Sequence, residues 1–160
     1  MEKESKHKHL HHYNVSGHAH DLTFTCYHRY SYLEDEFACC ILEDAIEKAK
    51  HIYSFHLWAY VFLPNHVHLL IWPKLPEYDI SKILSGIKGV MSKAYRSFLE
   101  KNNAPKLKDF MMEENSFRFW QPGGGFDRNL WNAKAIHDLI GYIEGNPMRK
   151  KLVNNTEDWK

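Results

Sequence analysis

The pattern of apolar and polar positions divides the chain into short segments typical of strands and longer segments typical of helices. Residues 22–27 alternate apolar with polar or aromatic side chains and are rich in β-forming residues, which predicts a first strand. The apolar runs at 55–63 and 66–72 flank the turn Leu63-Pro64-Asn65, and together they predict a β-hairpin. The aromatic segment 117–121 is a candidate for one more strand.

Three longer segments repeat their apolar residues every three or four positions, as one face of an α-helix does. They are residues 34–50, 80–99 and 131–145. The third helix is expected to stop at Asn146-Pro147, because the residue before a proline is pushed out of helical geometry. The middle helix has a basic face opposite its apolar face, which predicts that one side packs and the other stays bare.

Length and composition indicate one ordinary domain. We predict a flexible arm at residues 1–20, which holds six of the twelve histidines, and a single folded domain at 21–160. Cys26 and the adjacent pair Cys39-Cys40 match neither a disulfide framework nor a C-x-x-C metal motif. We therefore interpret the three cysteines as small buried apolar residues.

Charge and hydropathy argue against a strongly basic nucleic-acid-binding domain and against a membrane or secreted protein. A net charge of +1 and a pI of about 7.8 fall short of a strongly basic domain, so any surface that binds nucleic acid must be local. The chain lacks a run of about 18 apolar residues that would span a bilayer. Its N-terminal segment is polar and lacks the apolar core of a secretory signal. We expect a soluble, cytoplasmic protein with no membrane partner.

The second strand of the predicted hairpin carries two histidines two positions apart. Because strand side chains alternate between faces, His66 and His68 are expected on one face, while Val67, Leu69 and Ile71 face a core on the other. A strand with a purely structural role rarely places two imidazoles side by side, since each needs a polar partner when it leaves water. The spacing therefore predicts a site for a divalent cation.

Two histidines rarely complete a catalytic metal site, and the last predicted helix offers further groups. Tyr142 and Asn146 are four residues apart, so a phenol and an amide lie on one helical face about one turn from each other. If this helix docks across the histidine face, the two halves form one site. Glu144 or Asp127 is an alternative third ligand, and His137 is an alternative proton acceptor.

These motifs resemble those of the single-tyrosine transposases, a family that includes the REP-associated tyrosine transposases of bacteria. The segment 63–70 resembles the family's HUH motif, in which a hydrophobic residue separates two histidines. The segment 142–147 resembles the helix that carries the family's tyrosine nucleophile. Phe119-Trp120-Gln121 and Glu157-Asp158-Trp159 resemble further landmarks of the family.

The resemblance implies both a fold and an activity. The fold is α+β, with an antiparallel sheet of four or five strands and helices packed mainly on one face, in a ferredoxin-like or RRM-like arrangement. The activity is breakage and rejoining of single-stranded or hairpin DNA, with Tyr142 forming a 5′-phosphotyrosine. A divalent cation, Mg²⁺ or Mn²⁺, would be held by His66, His68 and Asn146. The family also implies a possible homodimer.

Contacts with DNA are expected from basic and aromatic residues. The aromatic candidates for stacking on unpaired bases are Trp120, Phe126 and Trp131. The glycine triplet at 123–125 departs from the bulkier, more basic segment usual in the family and leaves the DNA specificity open. The basic candidates for phosphate contacts are Lys82, Lys88, Lys93, Arg96, Arg118 and Arg128.

Three alternatives stay open from the sequence. Tyr95 is a rival nucleophile, because it also lies on a predicted helix, although it sits at the edge of the apolar face and has no ligand four residues later. A metal-dependent phosphodiesterase would use water as the nucleophile, with Tyr142 orienting the substrate. A domesticated, non-catalytic protein would keep the fold and bind nucleic acid without cutting it.

Overall fold

Four antiparallel strands form one open sheet in the computed structural model, which describes residues 11–159. The spatial order is β2-β3-β1-β4, so the first strand and the strand with the histidines occupy the centre. This arrangement confirms the predicted α+β class. The strands are β1 (Ala19–Thr25), β2 (Phe55–Leu63), β3 (His66–Pro73) and β4 (Phe126–Leu130).

Three long helices pack against this sheet, and a short fourth helix contacts the third. A side chain caps the first turn of each long helix: Asp35 accepts from Phe37 N before α1, Asp79 from Ser81 N and Lys82 N before α2, and Asn132 from Ala135 N before α3. Within residues 11–159, no helix is long and apolar enough to cross a membrane. The helices are α1 (Glu36–Tyr53), α2 (Ile80–Lys101), α3 (Ala133–Glu144) and α4 (Asn146–Arg149).

The larger core lies between one face of the sheet and helices α1 and α2. Val67 and Leu69 of β3 are fully buried there, together with Leu22 of β1. Leu42 of α1 and Ile87 of α2 cover them from the helical side. The predicted burial of alternate residues of β3 is thus confirmed, and the histidines between them must face the other way.

A smaller core lies on the opposite face, which is the face of the histidines. Leu70 of β3 and Val61 of β2 pack there against Leu139 and Ile143 of α3. Two of the three long helices therefore share one face, as predicted, while α3 alone covers the other. The packing of α3 therefore determines which side chains face the two histidines.

The sequence predicted the hairpin well and the fourth strand wrongly. Strand β2 has the predicted bounds, and β1 begins at Ala19, three residues earlier than expected. The segment 117–121 is no strand and forms only isolated bridges, such as the one between Cys26 and Trp120. The fourth strand is instead Phe126–Leu130, which has few β-forming residues and gains its structure from pairing with β1.

The glycine loop before β4 is held tightly against the rest of the protein. Gly125 has φ +75°, and a Cβ atom there would lie 2.2 Å from the carbonyl oxygen of Thr23. Only glycine therefore permits this approach of the loop to β1. Lys88 of α2 donates hydrogen bonds from Nζ to the carbonyl oxygens of Gln121 (3.1 Å) and Gly123 (2.8 Å). The loop is fixed from both sides.

The predicted arm enters the sheet before its predicted end. Residues 1–10 lie outside the described residues. His20 is fully buried within β1, and its Nδ1 atom is 2.8 Å from Asp127 Oδ1. His12 Nδ1 is 2.7 Å from the other carboxylate oxygen of Asp127. Part of segment 11–20 is therefore bound to β4, while the division into arm and domain stays a prediction.

The three cysteines differ in burial. Cys26 is fully buried, as predicted, and its burial raises the pKa of the thiol to about 12. Cys39 is partly buried, whereas Cys40 is exposed. The interpretation of Cys40 as a buried residue was wrong, because position 40 falls on the outer side of α1 and the apolar face of that helix includes Ala38 and Leu42 instead.

Candidate active site

The two histidines of β3 stand beside two threonines of the neighbouring central strand. The register of the sheet pairs Thr25 with His66 and Thr23 with His68. The centroids of the two imidazole rings are 5.1 Å apart, and both side chains are partly buried. The structure thus gives the same-face arrangement that the spacing predicted.

Each imidazole has a hydrogen-bonding partner at Nδ1. His66 Nδ1 is 2.6 Å from Asn65 Oδ1, and His68 Nδ1 is 2.9 Å from Thr23 Oγ1. When Asn65 Oδ1 accepts this hydrogen bond, neutral His66 carries its proton on Nδ1. Such outer partners fix the orientation of metal-binding histidines. In the tautomer with the proton on Nδ1, the lone pair on Nε2 of each ring can bind a cation.

The surroundings of the histidines favour the neutral form that binds metals. Burial, together with the nearby groups His66, Lys150 and Arg149, lowers the pKa of His68 to about 4. Burial also lowers the pKa of His66, with additional contributions from Lys150 and Arg29. The site therefore has basic side chains around it although the whole chain carries little net charge.

Tyr142 of α3 lies against His68. The ring centroids of the two residues are 6.0 Å apart and the ring planes are nearly perpendicular, at 78°. Leu139 and Ile143 of the same helix are buried in the smaller core, which leaves Tyr142 at its margin with 47% of its surface exposed. The Arg149 guanidinium lies 4.2 Å from the centroid of the Tyr142 ring and donates to the backbone carbonyl of Tyr142.

Asn146 is the first residue of α4 and is 1% exposed. Helix α3 ends at Glu144, and Asn146 begins a further helical turn, so the predicted stop at Asn146-Pro147 is a break between two helices. Within residues 11–159, Asn146 Nδ2 has no hydrogen-bonding partner. A buried amide without a partner is costly, and its nitrogen and oxygen are interchangeable by a flip. Imidazoles and a side-chain amide are the types of ligand taken by a cation that accepts nitrogen and oxygen donors.

The structure argues against the acidic alternatives for the third ligand. In the described part of the chain, no group of three or more His, Cys, Asp or Glu side chains is placed to hold a metal ion. Neither Glu144 nor Asp127 therefore joins the two histidines of β3, and the carboxylate of Asp127 contacts His12 and His20 instead. His137, the alternative proton acceptor, is exposed on α3.

Tyr95 is not placed to act as a nucleophile. It is buried in the centre of the apolar face of α2, not at its edge as predicted, and it belongs to the core on the other side of the sheet. Its hydroxyl donates to Asp35 Oδ2 at 2.5 Å. Burial raises the pKa of Tyr95, and the hydrogen bond to Asp35 raises it further. The phenol is therefore a protonated anchor of the core.

A cavity of about 620 Å³ opens between α3 and strands β1 and β4, beside Tyr142 and His68. Phe126 and Arg128 of β4 line it together with Asp21 of β1. Arg128 Nη2 donates to Asp21 Oδ2 at 3.0 Å. Burial raises the pKa of Asp21, although the charge and hydrogen bond of Arg128 act in the opposite direction.

Four of the predicted phosphate contacts lie away from this site. Helix α2 carries all four and packs on the sheet face opposite the histidines. Lys88 uses its ammonium group to hold the glycine loop, and Arg96 pairs with Glu100 at 2.7 Å. These side chains can therefore contact only DNA that extends beyond the site. The four residues are Lys82, Lys88, Lys93 and Arg96.

The remaining predicted DNA contacts divide into near and distant residues. Arg128 and Phe126 line the cavity beside Tyr142. Arg118 is exposed near the ring of Tyr27 and does not line that cavity. Among the aromatic candidates, Trp120 is buried and Trp131 is 70% exposed.

Sequence reasoning missed several residues of the site. Thr23 and Asp21 are unremarkable in the first strand, because only the register with β3 and β4 brings them to the site. Arg149 follows the nucleophile candidate by seven residues, across a helix break that the spacing did not reveal. Asn65 lies in the segment that resembles the HUH motif, and its position directly before His66 was the one sequence signal for its contact with that histidine.

The chain matches the protein family described as "Transposase IS200 like" over residues 14–127, which is 114 of its 160 residues. The chain therefore belongs to the IS200-like transposase family, and the predicted resemblance is confirmed. Membership places it among proteins of DNA transposition. His66 and His68 lie within the matched range, whereas Tyr142 and Asn146 lie beyond it.

Solved structures show the same fold. A REP-associated tyrosine transposase bound to a REP hairpin matches with a TM-score of 0.74 and 23% identity, over 96% of this chain and 80% of that one. A putative transposase from Deinococcus radiodurans R1 matches with a TM-score of 0.51 and 20% identity, over 91% of this chain and 97% of that one. No curated protein sequence matches the chain.

Proposed function

We propose that this protein cuts and rejoins single-stranded or hairpin DNA through a covalent 5′-phosphotyrosine at Tyr142. The observation that carries the proposal is the position of a half-exposed phenol against His68, on the face of the sheet that also presents His66. Membership in a transposase family supports it, as does the likeness in fold to a transposase whose structure contains a hairpin.

The chemistry requires a positioned phenol. A protonated phenol is a poor nucleophile, so Tyr142 must lose its proton as it attacks phosphorus. The bond between the Tyr142 oxygen and phosphorus forms, the bond to the 3′-oxygen breaks, and that oxygen takes up a proton. The packing of Leu139 and Ile143 holds the phenol in place, which is the main contribution a protein makes to phosphoryl transfer.

We assign His66, His68 and Asn146 as the residues that would hold a divalent cation, Mg²⁺ or Mn²⁺. When bound, the cation would neutralise charge on a non-bridging phosphate oxygen and on the leaving 3′-oxygen. Imidazole ligands suit Mn²⁺ better than Mg²⁺, which prefers oxygen ligands. The outer partners Asn65 and Thr23 orient the two imidazoles for this role.

The covalent product retains the energy of a phosphodiester. A 3′-hydroxyl of a second DNA end can attack the phosphotyrosine, re-form a DNA phosphodiester and release the phenol. Strand transfer therefore needs no nucleotide cofactor. The basic side chains of Arg149, Lys150 and Arg29, which lie around the two histidines, are proposed to hold the phosphates of the cut segment.

A cleavage assay tests the proposal. The probes are hairpin oligonucleotides with single-stranded flanks, designed from the imperfect palindromes that a search of the DNA beside the gene finds. With Mn²⁺ we expect a nicked product and a protein–DNA adduct that survives denaturation. Tyr142→Phe should lose the adduct, whereas Tyr60→Phe, an exposed tyrosine on β2, should keep it.

The same assay separates the alternatives. Turnover without any adduct would instead indicate a phosphodiesterase that uses water. Hairpin binding that neither a chelator nor His66→Ala changes, without cleavage, would indicate a non-catalytic DNA-binding protein. An adduct that forms undiminished in Tyr142→Phe would rule out this tyrosine as the nucleophile.

A further inference from the structure

We propose that the cavity beside Tyr142 binds the base of one unpaired nucleotide next to the phosphate that is cut. Phe126 stacks on this base and Arg128 donates hydrogen bonds to its edge. The inference rests on the proposed function, because it assigns a part of the DNA substrate to a second part of the same site. It makes Phe126 and Arg128 residues that determine DNA specificity.

The sheet register places Phe126 in line with the site. Phe126 pairs with Thr23, and Thr23 pairs with His68, so the three residues lie side by side on neighbouring strands. Two strand spacings separate Phe126 from His68, which is about 10 Å. A nucleotide whose phosphate lies at the histidines can therefore place its base over Phe126.

The shape and lining of the cavity suit a base. Its volume of about 620 Å³ is large enough for one nucleotide, and Ala135 and Leu139 of α3 form an apolar wall. Phe126 keeps 49% of its surface exposed although it lies in a strand of the sheet. An aromatic side chain exposed in a cleft with a few polar groups is typical of a binding site. Bases commonly stack on such rings in proteins that bind single strands.

The ion pair of Asp21 and Arg128 provides the polar part of the cavity. The Asp21 side chain is 8% exposed and that of Arg128 is 55% exposed, so the buried carboxylate fixes one side of an accessible guanidinium. The guanidinium of Arg128 has five N–H donors in a planar fork, and its hydrogen bond to Asp21 uses a donor on Nη2. The other donors suit the acceptor atoms on the edge of a base.

The glycine loop explains why β4 can hold Phe126 at this position. Gly125 directly precedes Phe126, and its close approach to Thr23 leaves no room for a side chain. Lys88 holds the loop from the other face of the sheet. The segment that departs from the usual family pattern thus fixes the start of β4, and with it the position of Phe126 in the lining of the cavity.

A binding experiment without cleavage tests the inference. In a Tyr142→Phe background with a chelator, affinity is measured for the hairpin probe with each unpaired nucleotide near the cut replaced in turn by an abasic site. We expect one position at which the abasic site weakens binding about tenfold. Adding Phe126→Ala should remove this penalty, because the ring and the base then no longer interact.

A matched control and two outcomes decide the result. Tyr60→Ala removes an aromatic residue of β2 that is about as exposed as Phe126 and should leave the abasic penalty unchanged. The inference is overturned if no position shows a penalty, or if the penalty persists in full after Phe126→Ala. Circular dichroism confirms that each variant is folded.

The role of Arg128 is tested in a variant in which both partners of its ion pair with Asp21 are replaced by uncharged residues. Removing Arg128 alone would leave Asp21 buried without a partner, so the double variant Asp21→Asn/Arg128→Gln is used. Affinities for the four bases at the sensitive position should differ in the Tyr142→Phe background and converge in the double variant. Equal discrimination with and without the double change would refute the assignment of Arg128.

These readouts are independent of the covalent step. If the adduct forms on Tyr142 but no base couples to Phe126, the proposed function stands and the base pocket is wrong. If a base couples to Phe126 but no adduct forms with Mn²⁺, the pocket stands in a protein that binds DNA without cutting it.

Discussion

Thr23 and Asn65 show how much of this site depends on single hydrogen bonds. Each contacts the Nδ1 atom of one histidine, and neither is a candidate metal ligand. Partners of this kind typically change metal affinity by about 10- to 100-fold when they are removed. Thr23 reaches His68 through the register of β1 with β3, and Asn65 reaches His66 because it lies in the turn directly before that histidine.

We predict that Thr23→Val weakens Mn²⁺ binding by about 10- to 100-fold, because His68 loses the partner that orients its ring. Calorimetric titration of Mn²⁺ measures the change. Thr25→Val, which alters the threonine opposite His66, is the matched control and should have little effect. Unchanged affinity in Thr23→Val would show that the hydroxyl does not orient a ligand.

A second residue-scale prediction concerns Asp35, which anchors α1 to Tyr95 and Lys106. Burial raises the pKa of Asp35, but hydrogen bonds from Lys106, Tyr95 and the Phe37 N–H outweigh burial and lower it. A lowered pKa stabilises the fold above the unfolded value of about 4, and this contribution disappears as the pH falls through the folded value.

Asp35→Asn should therefore lower the free energy of unfolding by about 1 kcal/mol at pH 7. The difference from the unaltered protein should shrink as the pH falls below about 4, because the carboxyl then becomes protonated in both states. Urea denaturation at a series of pH values measures it. A difference that is constant from neutral to acidic pH would contradict the assignment.

At the scale of elements, the glycine loop and β4 determine the shape of the site. Gly125→Ala should destabilise the protein by about 2–3 kcal/mol, because it adds a clash with Thr23 to the strain of a positive φ. Gly123→Ala is the control: its φ is also positive, at +97°, but a Cβ atom there meets nothing within 4 Å. Thermal denaturation compares them, and equal losses would exclude the clash as the cause.

Elements with a strong local pattern could be predicted from the sequence, and β4 could not. The hairpin has alternating apolar residues and a Pro-Asn turn, so its strands were predicted within one residue. Phe126–Leu130 has polar residues on both sides and becomes a strand only by pairing with a distant segment. The pattern of apolar and polar residues within the segment carries no information about its pairing with β1.

At the scale of the whole molecule, the sheet separates the face that carries the larger core from the face that carries the proposed site. Helices α1 and α2 close one side, while α3 leaves a cavity beside the histidines on the other. The same-face pair His66 and His68 was predictable from a strand period of two. The meeting of Tyr142 with His68 was not, because it requires α3 to pack on that face through Leu139 and Ile143.

The overall charge conceals this separation. A net charge of +1 gave no sign of a DNA surface, yet Arg29, Arg149 and Lys150 act on the pKa values of the two histidines. Basic residues on α2, predicted from the helical wheel to bind DNA, lie on the other face. Helical periodicity identifies an exposed face but does not indicate which side of a sheet it occupies. A homodimer stays a prediction that sedimentation analysis can test.

The most direct test of the central claim is to locate the DNA on the protein. After reaction with the hairpin probe and Mn²⁺, the protein is digested with nuclease and trypsin, and the peptides are sequenced by mass spectrometry. The peptide 135–149, which ends at Arg149, contains Tyr142 as its one tyrosine. We predict that this peptide carries a 5′-linked nucleotide on Tyr142, and that His66→Ala abolishes the modification. Cleavage of the probe with this peptide unmodified, or a nucleotide attached to another residue, would contradict the account.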